Sequence, residues 1–234
     1  MRDLRFFLAQ PLAPATTLDV GGDLHHHLAN VLRAGPGSAL VLFNGDGADY
    51  PATVLALDRK TARLHIDARV PNPSESPLHL TLYQALLKGE AFERVLQKAT
   101  ELGVQRIVPL LSQHCAAKGA RPERWRGIVI ASAMQCGRSR LPELDEPRPL
   151  AEALRDEAPV RWLFSPHHGP SPAPAGSASA LALLIGPEGG FSDAEVAEAV
   201  AAGWQCQRLG PRILRADTAA TVALARAQER FGDF

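Results

Sequence analysis

The chain has 234 residues, 46% of them hydrophobic, with 25 basic and 25 acidic side chains and a formal net charge of zero. That length allows one large core or two small ones, and neutrality by itself argues weakly against a nucleic-acid partner. No apolar run reaches the ~20 residues of a membrane span, the start lacks the apolar stretch of a signal peptide, and Cys115, Cys136 and Cys206 are too scattered for a disulfide framework or a zinc site, so a cytoplasmic protein without metal is expected.

Asp23–Arg33 reads as a short helix ended by Gly35-Pro36-Gly37. Its run His25-His26-His27 is not a metal site, because consecutive helical residues point about 100° apart. Ala39–Phe43 and Asp49–Leu57 read as strands around the tight-turn signal Asn44-Gly45-Asp46-Gly47, and Arg63–Val70 as a third strand. Pro71-Asn72-Pro73-Ser74-Glu75-Ser76-Pro77 is an extended, helix-hostile linker. It divides the chain into a mostly β domain, residues 1–72, and a second domain, residues 73–234.

After the linker, strands alternate with helices, which predicts a parallel α/β sheet with its ligand at the strand C-termini. Leu78–Gln84, Arg106–Leu111, Val160–Phe164, Leu181–Ile185 and Gln205–Leu209 are the strands. Ala91–Leu102, closed by Gly103, Arg121–Met134, Asp193–Ala202 and Asp217–Phe231 are the helices, the third opened by the capping box Ser192/Glu195. Gly169–Ser179 is a Gly/Pro/Ser/Ala loop. Residues 79–150 hold 11 basic against 7 acidic side chains, a local excess suited to phosphates.

Two loops carry the chemistry. Leu184-Ile185-Gly186-Pro187-Glu188-Gly189-Gly190 and Leu209-Gly210-Pro211-Arg212-Ile213-Leu214-Arg215-Ala216-Asp217-Thr218-Ala219 each follow an apolar strand and precede a helix. Thin Gly/Pro loops expose backbone N–H and C=O groups to a flat polar ligand. Neither a P-loop nor a dinucleotide fingerprint is present. Arg215 is placed for a phosphate or a developing negative charge, and Glu188 is a carboxylate in a glycine loop. Arg138 and Arg140, at a glycine turn in the basic segment, read as phosphate or base contacts.

These loops, together with Arg5-Phe6-Phe7, His26-His27, Val31-Leu32-Arg33, Phe43-Asn44-Gly45, Glu101-Leu102-Gly103-Val104, Pro109-Leu110 and Gln135-Cys136-Gly137-Arg138, resemble the RsmE-type methyltransferases of the SPOUT superfamily over nearly the whole chain. The resemblance implies a PUA-like RNA-binding β-barrel over residues 1–72. It implies a trefoil-knot, parallel-sheet α/β methyltransferase domain over residues 73–234. It further implies S-adenosylmethionine-dependent methylation of uridine N3 in 16S ribosomal RNA, on the assembled small subunit, by a homodimer. On this reading Pro109, Leu110, Leu184, Ile185, Gly186, Pro187, Gly189, Gly190, Leu209, Gly210, Ile213, Leu214, Thr218 and Ala219 hold the cofactor. Arg215 and Glu188 act on the substrate, and Arg5, His27, Arg33, Arg138 and Arg140 contact RNA. His114 stands where the family often has arginine, and Ala131 and Met134 where it often has acids. The alternatives are a transfer-RNA ribose methyltransferase of the same superfamily and a non-catalytic RNA-binding protein.

Overall fold

The structure is a computed structural model that describes residues 4–116, 119–169 and 177–234. Of the loop expected at Gly169–Ser179, residues 170–176 lie outside the described residues. The chain divides into two compact units, Met1–Glu75 with Ala133–Leu141, and Ser76–Ser132 with Pro142–Phe234.

The first unit holds β1 (Arg5–Phe7), β2 (Thr16–Val20), α1 (Gly22–His26), a π-helical turn (His27–Val31), β3 (Ala39–Phe43), β4 (Ala48–Leu57), β5 (Ala62–Ile66) and β6 (Val70–Pro71). Its sheet runs β1-β3-β4-β5-β2, with β6 on the start of β4. The β1–β3 pair is parallel and the others are antiparallel. Alternation places Leu40 and Leu42, Tyr50, Ala52 and Val54, and Leu64 and Ile66 in one core with Phe6 and Leu28. The strand expected at Arg63–Val70 is two, because β5 pairs with β2 and β4 while β6 pairs with the far end of β4. The helix expected at Asp23–Arg33 is a short α-turn that widens into a π-turn and stops at Arg33, whose φ is 51°.

Residues Ala133–Leu141 are held in this unit by charge-assisted hydrogen bonds. Arg138 is 2% exposed and pairs with Glu75 Oε2 at 3.0 Å. Glu75 Oε1 accepts the N–H groups of Ser139 and Arg140 at 3.0 and 2.8 Å. Arg5 donates to both oxygens of Asp49 and to Ser139 Oγ, and Ser139 donates to Asp49. Burial raises the Asp49 pKa, but donors from Arg5, Ser139 and Asn72 outweigh it and hold the carboxyl below its ordinary value.

The second unit holds β7 (His79–Ala85), α2 (Ala91–Glu101), β8 (Arg106–Leu111), α3 (Pro122–Cys136), β9 (Glu143–Leu144), β10 (Arg148–Pro149), α4 (Leu150–Ala153), β11 (Val160–Phe164), β12 (Ala180–Ile185), α5 (Asp193–Ala201), β13 (Gln205–Gln207) and α6 (Ala216–Phe231). The end of α3, from Ala133, belongs to the first unit. The sheet is parallel, in the order β10-β8-β7-β12-β11-β13, with β9 also on β8. β7 and β12 are buried along nearly their whole length; β12 is continuously apolar, while β7 also buries Thr81, Tyr83 and Gln84. The capping box of α5 is present, with Ser192 Oγ accepting from the Glu195 N–H and Glu195 from the Ser192 N–H.

α6 packs on α2 and β12 and buries Ala220, Ala223, Leu224 and Ala227. Gln228, fully buried, donates to Leu102 O at 2.7 Å and accepts from Ser76 Oγ at 2.9 Å. Gly103 is required at this point: its φ is 77°, and a β-carbon there would lie 2.7 Å from Gln228 Nε2.

Near the N-terminal ends of the strands, Asp156 accepts from Tyr83 Oη at 2.7 Å and from the Arg148 guanidinium, while Arg106 pairs with Asp145 at 2.6 Å. Burial raises the Asp156 pKa. Hydrogen bonds from Arg148 and then Tyr83 outweigh it and hold the carboxyl below its ordinary value of 3.8. A carboxyl depressed in the folded state stabilises fully above its unfolded pKa, and that contribution disappears as pH falls through the folded value. Thermal melts from neutral pH downward test this. Wild type is expected to lose stability more steeply below about pH 4 than Asp156→Asn, which starts lower at neutral pH. Parallel curves would contradict it.

Candidate functional site

Loops after parallel strands gather at one end of the sheet, and where strand order reverses the loops part and leave a crevice. Here the reversal lies between β7 and β12. From β7 the chain crosses to β8 on one side, and the later strands β12, β11 and β13 lie on the other. A cavity of about 450 Å³ opens there. Gly186–Phe191 after β12, Ile213–Asp217 at the start of α6, Phe164–His167 after β11, and Leu87, Ala91 and Arg94 after β7 line it.

The glycine loop is tight. A β-carbon on Gly186 would lie 3.3 Å from both Gly190 Cα and the Phe191 ring, so the returning loop occupies the side-chain position. Gly190 has φ 68°, a conformation that glycine adopts without strain. Beneath the loop, Gln84 is fully buried and donates to Ala85 O at 3.0 Å and Gly186 O at 3.4 Å. Its Oε1 is buried without a partner among the described residues.

Of the residues that sequence assigned to a cofactor, Gly186, Pro187, Gly189, Gly190, Ile213 and Leu214 line the cavity. Pro109, Leu110, Leu184 and Ile185 are buried strand residues under the loops, and Leu110 and Leu184 belong to the core of the sheet. Leu209 is half-buried, Gly210 is exposed with φ 94°, and Thr218 and Ala219 sit in the first turn of α6; none of these four lines the cavity.

Arg215 lines the cavity at the N-cap position of α6, exposed and without an ion pair among the described residues. Glu188 also lines it, and its Oε1 accepts the Lys88 N–H at 2.9 Å. Asp217 is more than a helix cap. It pairs with Arg94 at 2.9 Å, and although burial raises its pKa, that guanidinium and the Thr218 N–H hold it below the ordinary value.

The residues assigned to RNA lie in the first unit. His27 is exposed, edge-on to Phe6 with 5.5 Å between ring centroids, and Arg33 is exposed. Arg140 is exposed, with its guanidinium so close to Gly47 that a β-carbon there would lie 2.7 Å from Nε. Arg5 is ion-paired to Asp49. Arg138, read from the sequence as a phosphate or base contact, is a buried partner of Glu75. Removing one member of such a pair strands the other, at a cost of about 3–5 kcal/mol, so its function begins with the fold.

Sequence reasoning missed Arg94 and the Phe164–His167 segment. Ser165-Pro166 directly follows the apolar strand Val160–Phe164, and the position after a parallel strand was the available signal. Among the described residues no three His, Cys, Asp or Glu side chains form a metal site. No helix is long and apolar enough to cross a membrane among them.

Two family models match the chain, an RNA methyltransferase domain over residues 74–228 and an RNA methyltransferase PUA domain over residues 20–67. The ribosomal RNA small subunit methyltransferase E of Synechocystis sp. is 36% identical over 86% of this chain and 69% of its own length. That of Buchnera aphidicola subsp. Schizaphis graminum is 32% identical over 89% and 88%. The crystal structure of a ribosomal RNA small subunit methyltransferase E from Neisseria gonorrhoeae, bound to S-adenosylmethionine, superposes with TM-score 0.90 at 34% identity and covers both chains completely.

Gly186→Val tests whether this cavity binds a ligand. Overpacking a tight site costs about 1–3 kcal/mol, so affinity for S-adenosylmethionine measured by calorimetry is expected to fall roughly ten- to hundredfold, with the fold retained by circular dichroism. Unchanged affinity would remove the site from this loop.

Proposed function

We infer the reaction from one premise: the chain belongs to the family of RNA methyltransferases that includes the ribosomal RNA small subunit methyltransferases E. It is an S-adenosylmethionine-dependent methyltransferase of ribosomal RNA, with the parallel-sheet α/β fold of the SPOUT class preceded by a PUA-like unit. The finer proposal is methylation of N3 of a uridine in 16S RNA, on the assembled small subunit, by a cytoplasmic homodimer. Residues 73–234 act as the catalytic domain and residues 1–72 as the RNA-reading domain.

The observation that carries this reading is the cavity at the β7/β12 reversal. Its volume lies within the ~300–1,000 Å³ of small-molecule sites. Its residues fit the cofactor. Gly186 leaves a cradle that a β-carbon would fill, and Leu87, Phe164 and Leu214 give apolar wall for a flat ring. Glu188 and the Arg94–Asp217 pair put charge of both signs at the cavity, which suits a ligand that carries a sulfonium and a carboxylate. Bound there, S-adenosylmethionine supplies a methyl group already activated on sulfur.

The protein's own task is alignment and proton management. Uracil N3 carries a proton that must leave before or during attack, so negative charge grows on the base. Arg215, at the cavity wall and without an ion pair among the described residues, stabilises that charge. Glu188 Oε1 is engaged by the Lys88 N–H, and Oε2 accepts the N3 proton. N3 lies on the pairing edge, so the uridine enters unpaired. Exposed His27, Arg33 and Arg140 on the first unit support phosphate contact there.

Arg215→Ala separates the two halves of the proposal. Loss of one charge-assisted contact costs about 1.5–3 kcal/mol, so methyl incorporation into small subunits should fall roughly ten- to hundredfold, with a much smaller change in cofactor affinity. Incorporation at the wild-type rate would remove Arg215 from the reaction.

A further inference from the structure

His114 lies outside the cavity wall, on the loop that follows β8, yet it touches the loop that forms that wall. Its Nδ1 is 3.3 Å from Gly189 O and 3.2 Å from Gly190 O. Both partners are carbonyl oxygens, which only accept, so Nδ1 carries the hydrogen and shares it between them. The contact fixes the tautomer and leaves Nε2 without a hydrogen in the neutral ring. Gly189 makes the approach possible: a β-carbon there would sit 3.0 Å from His114 Cβ.

Two further bonds place this contact in a strap. The Gln113 N–H donates to Glu195 Oε1 at 2.7 Å, and the other oxygen of Glu195 closes the capping box at Ser192. The Lys88 N–H, beyond the end of β7, donates to Glu188 Oε1. β8 and β12 flank β7 in the sheet, so the loop after β8 reaches over the end of β7 to the loop after β12. Gly189 and Gly190 line the cavity, and the carbonyls of the same two residues meet His114.

A glycine loop has large conformational freedom. A ligand that must freeze such a loop loses affinity to the ordering, and a loop already fixed does not. We propose that His114 is a positioning residue for the cofactor: through its Nδ1–H it fixes the carbonyls of Gly189 and Gly190 and sets the cavity wall before S-adenosylmethionine arrives. The proposal rests on the reading that this cavity takes that cofactor.

The test uses the full chain and the variants His114→Ala and His114→Asn. Asparagine keeps an N–H donor near the same carbonyls. Calorimetry with S-adenosylmethionine should show affinity reduced roughly two- to tenfold in the alanine variant, the range of one lost hydrogen bond, and largely restored by asparagine. Amide hydrogen exchange without cofactor should be faster across Gly189–Phe191 in His114→Ala, with the thermal midpoint unchanged. KM for the cofactor should rise while kcat holds. Wild-type affinity and wild-type exchange in His114→Ala would overturn the proposal, as would an asparagine variant no better than alanine. If the wild-type protein fails to bind S-adenosylmethionine, the cofactor reading falls, and the exchange measurement alone then decides whether His114 orders the loop.

Discussion

The parallel pairing of β12 between β7 and β11 is the constraint from which the site follows. Parallel strands covered on both faces carry mostly apolar side chains along their length, so most polar groups collect where the strands stop. Leu181–Ile185 end together with Leu82–Gln84 and Trp162–Phe164. The loops that leave them must turn within a few residues, and glycine and proline do this without bulk. Gly186 is the point of closest return, and its missing side chain keeps the cavity open.

Electrostatics then divide the labour. Pairs that hold the fold are buried or half-buried: Arg138 with Glu75, Arg5 with Asp49, and Tyr83 and Arg148 with Asp156. Charges at the cavity are more exposed. Arg215 is unpaired among the described residues, and Arg94 shares Asp217 across more than a hundred residues of sequence. A buried pair stranded by substitution costs the fold, whereas an exposed charge is available to a ligand. The same residue type serves both ends, and only burial distinguishes them.

That distinction explains what was legible in the sequence. The β12 strand, the glycine loop and the Ser192/Glu195 box are local patterns, written in consecutive residues, and all stand in the structure. β2, Thr16–Val20, was not legible, because it is mostly exposed and gives little apolar alternation. The burial of Arg138 was not legible, because its partner Glu75 lies 63 residues upstream and no local signal announces burial. The Phe164–His167 wall was missed for the same reason: strand order, not composition, brings the end of β11 to the cavity. His114 was visible as an unusual residue, but its two carbonyl partners were not.

The central claim is that this chain places a methyl group on N3 of a uridine in the small-subunit ribosomal RNA. Mass spectrometry of nucleosides from that RNA tests it most directly, in a strain lacking the chain and in the same strain carrying it again. The account predicts loss of N3-methylated uridine in the first and its return in the second. An N3-methyluridine content unchanged by the deletion would contradict it.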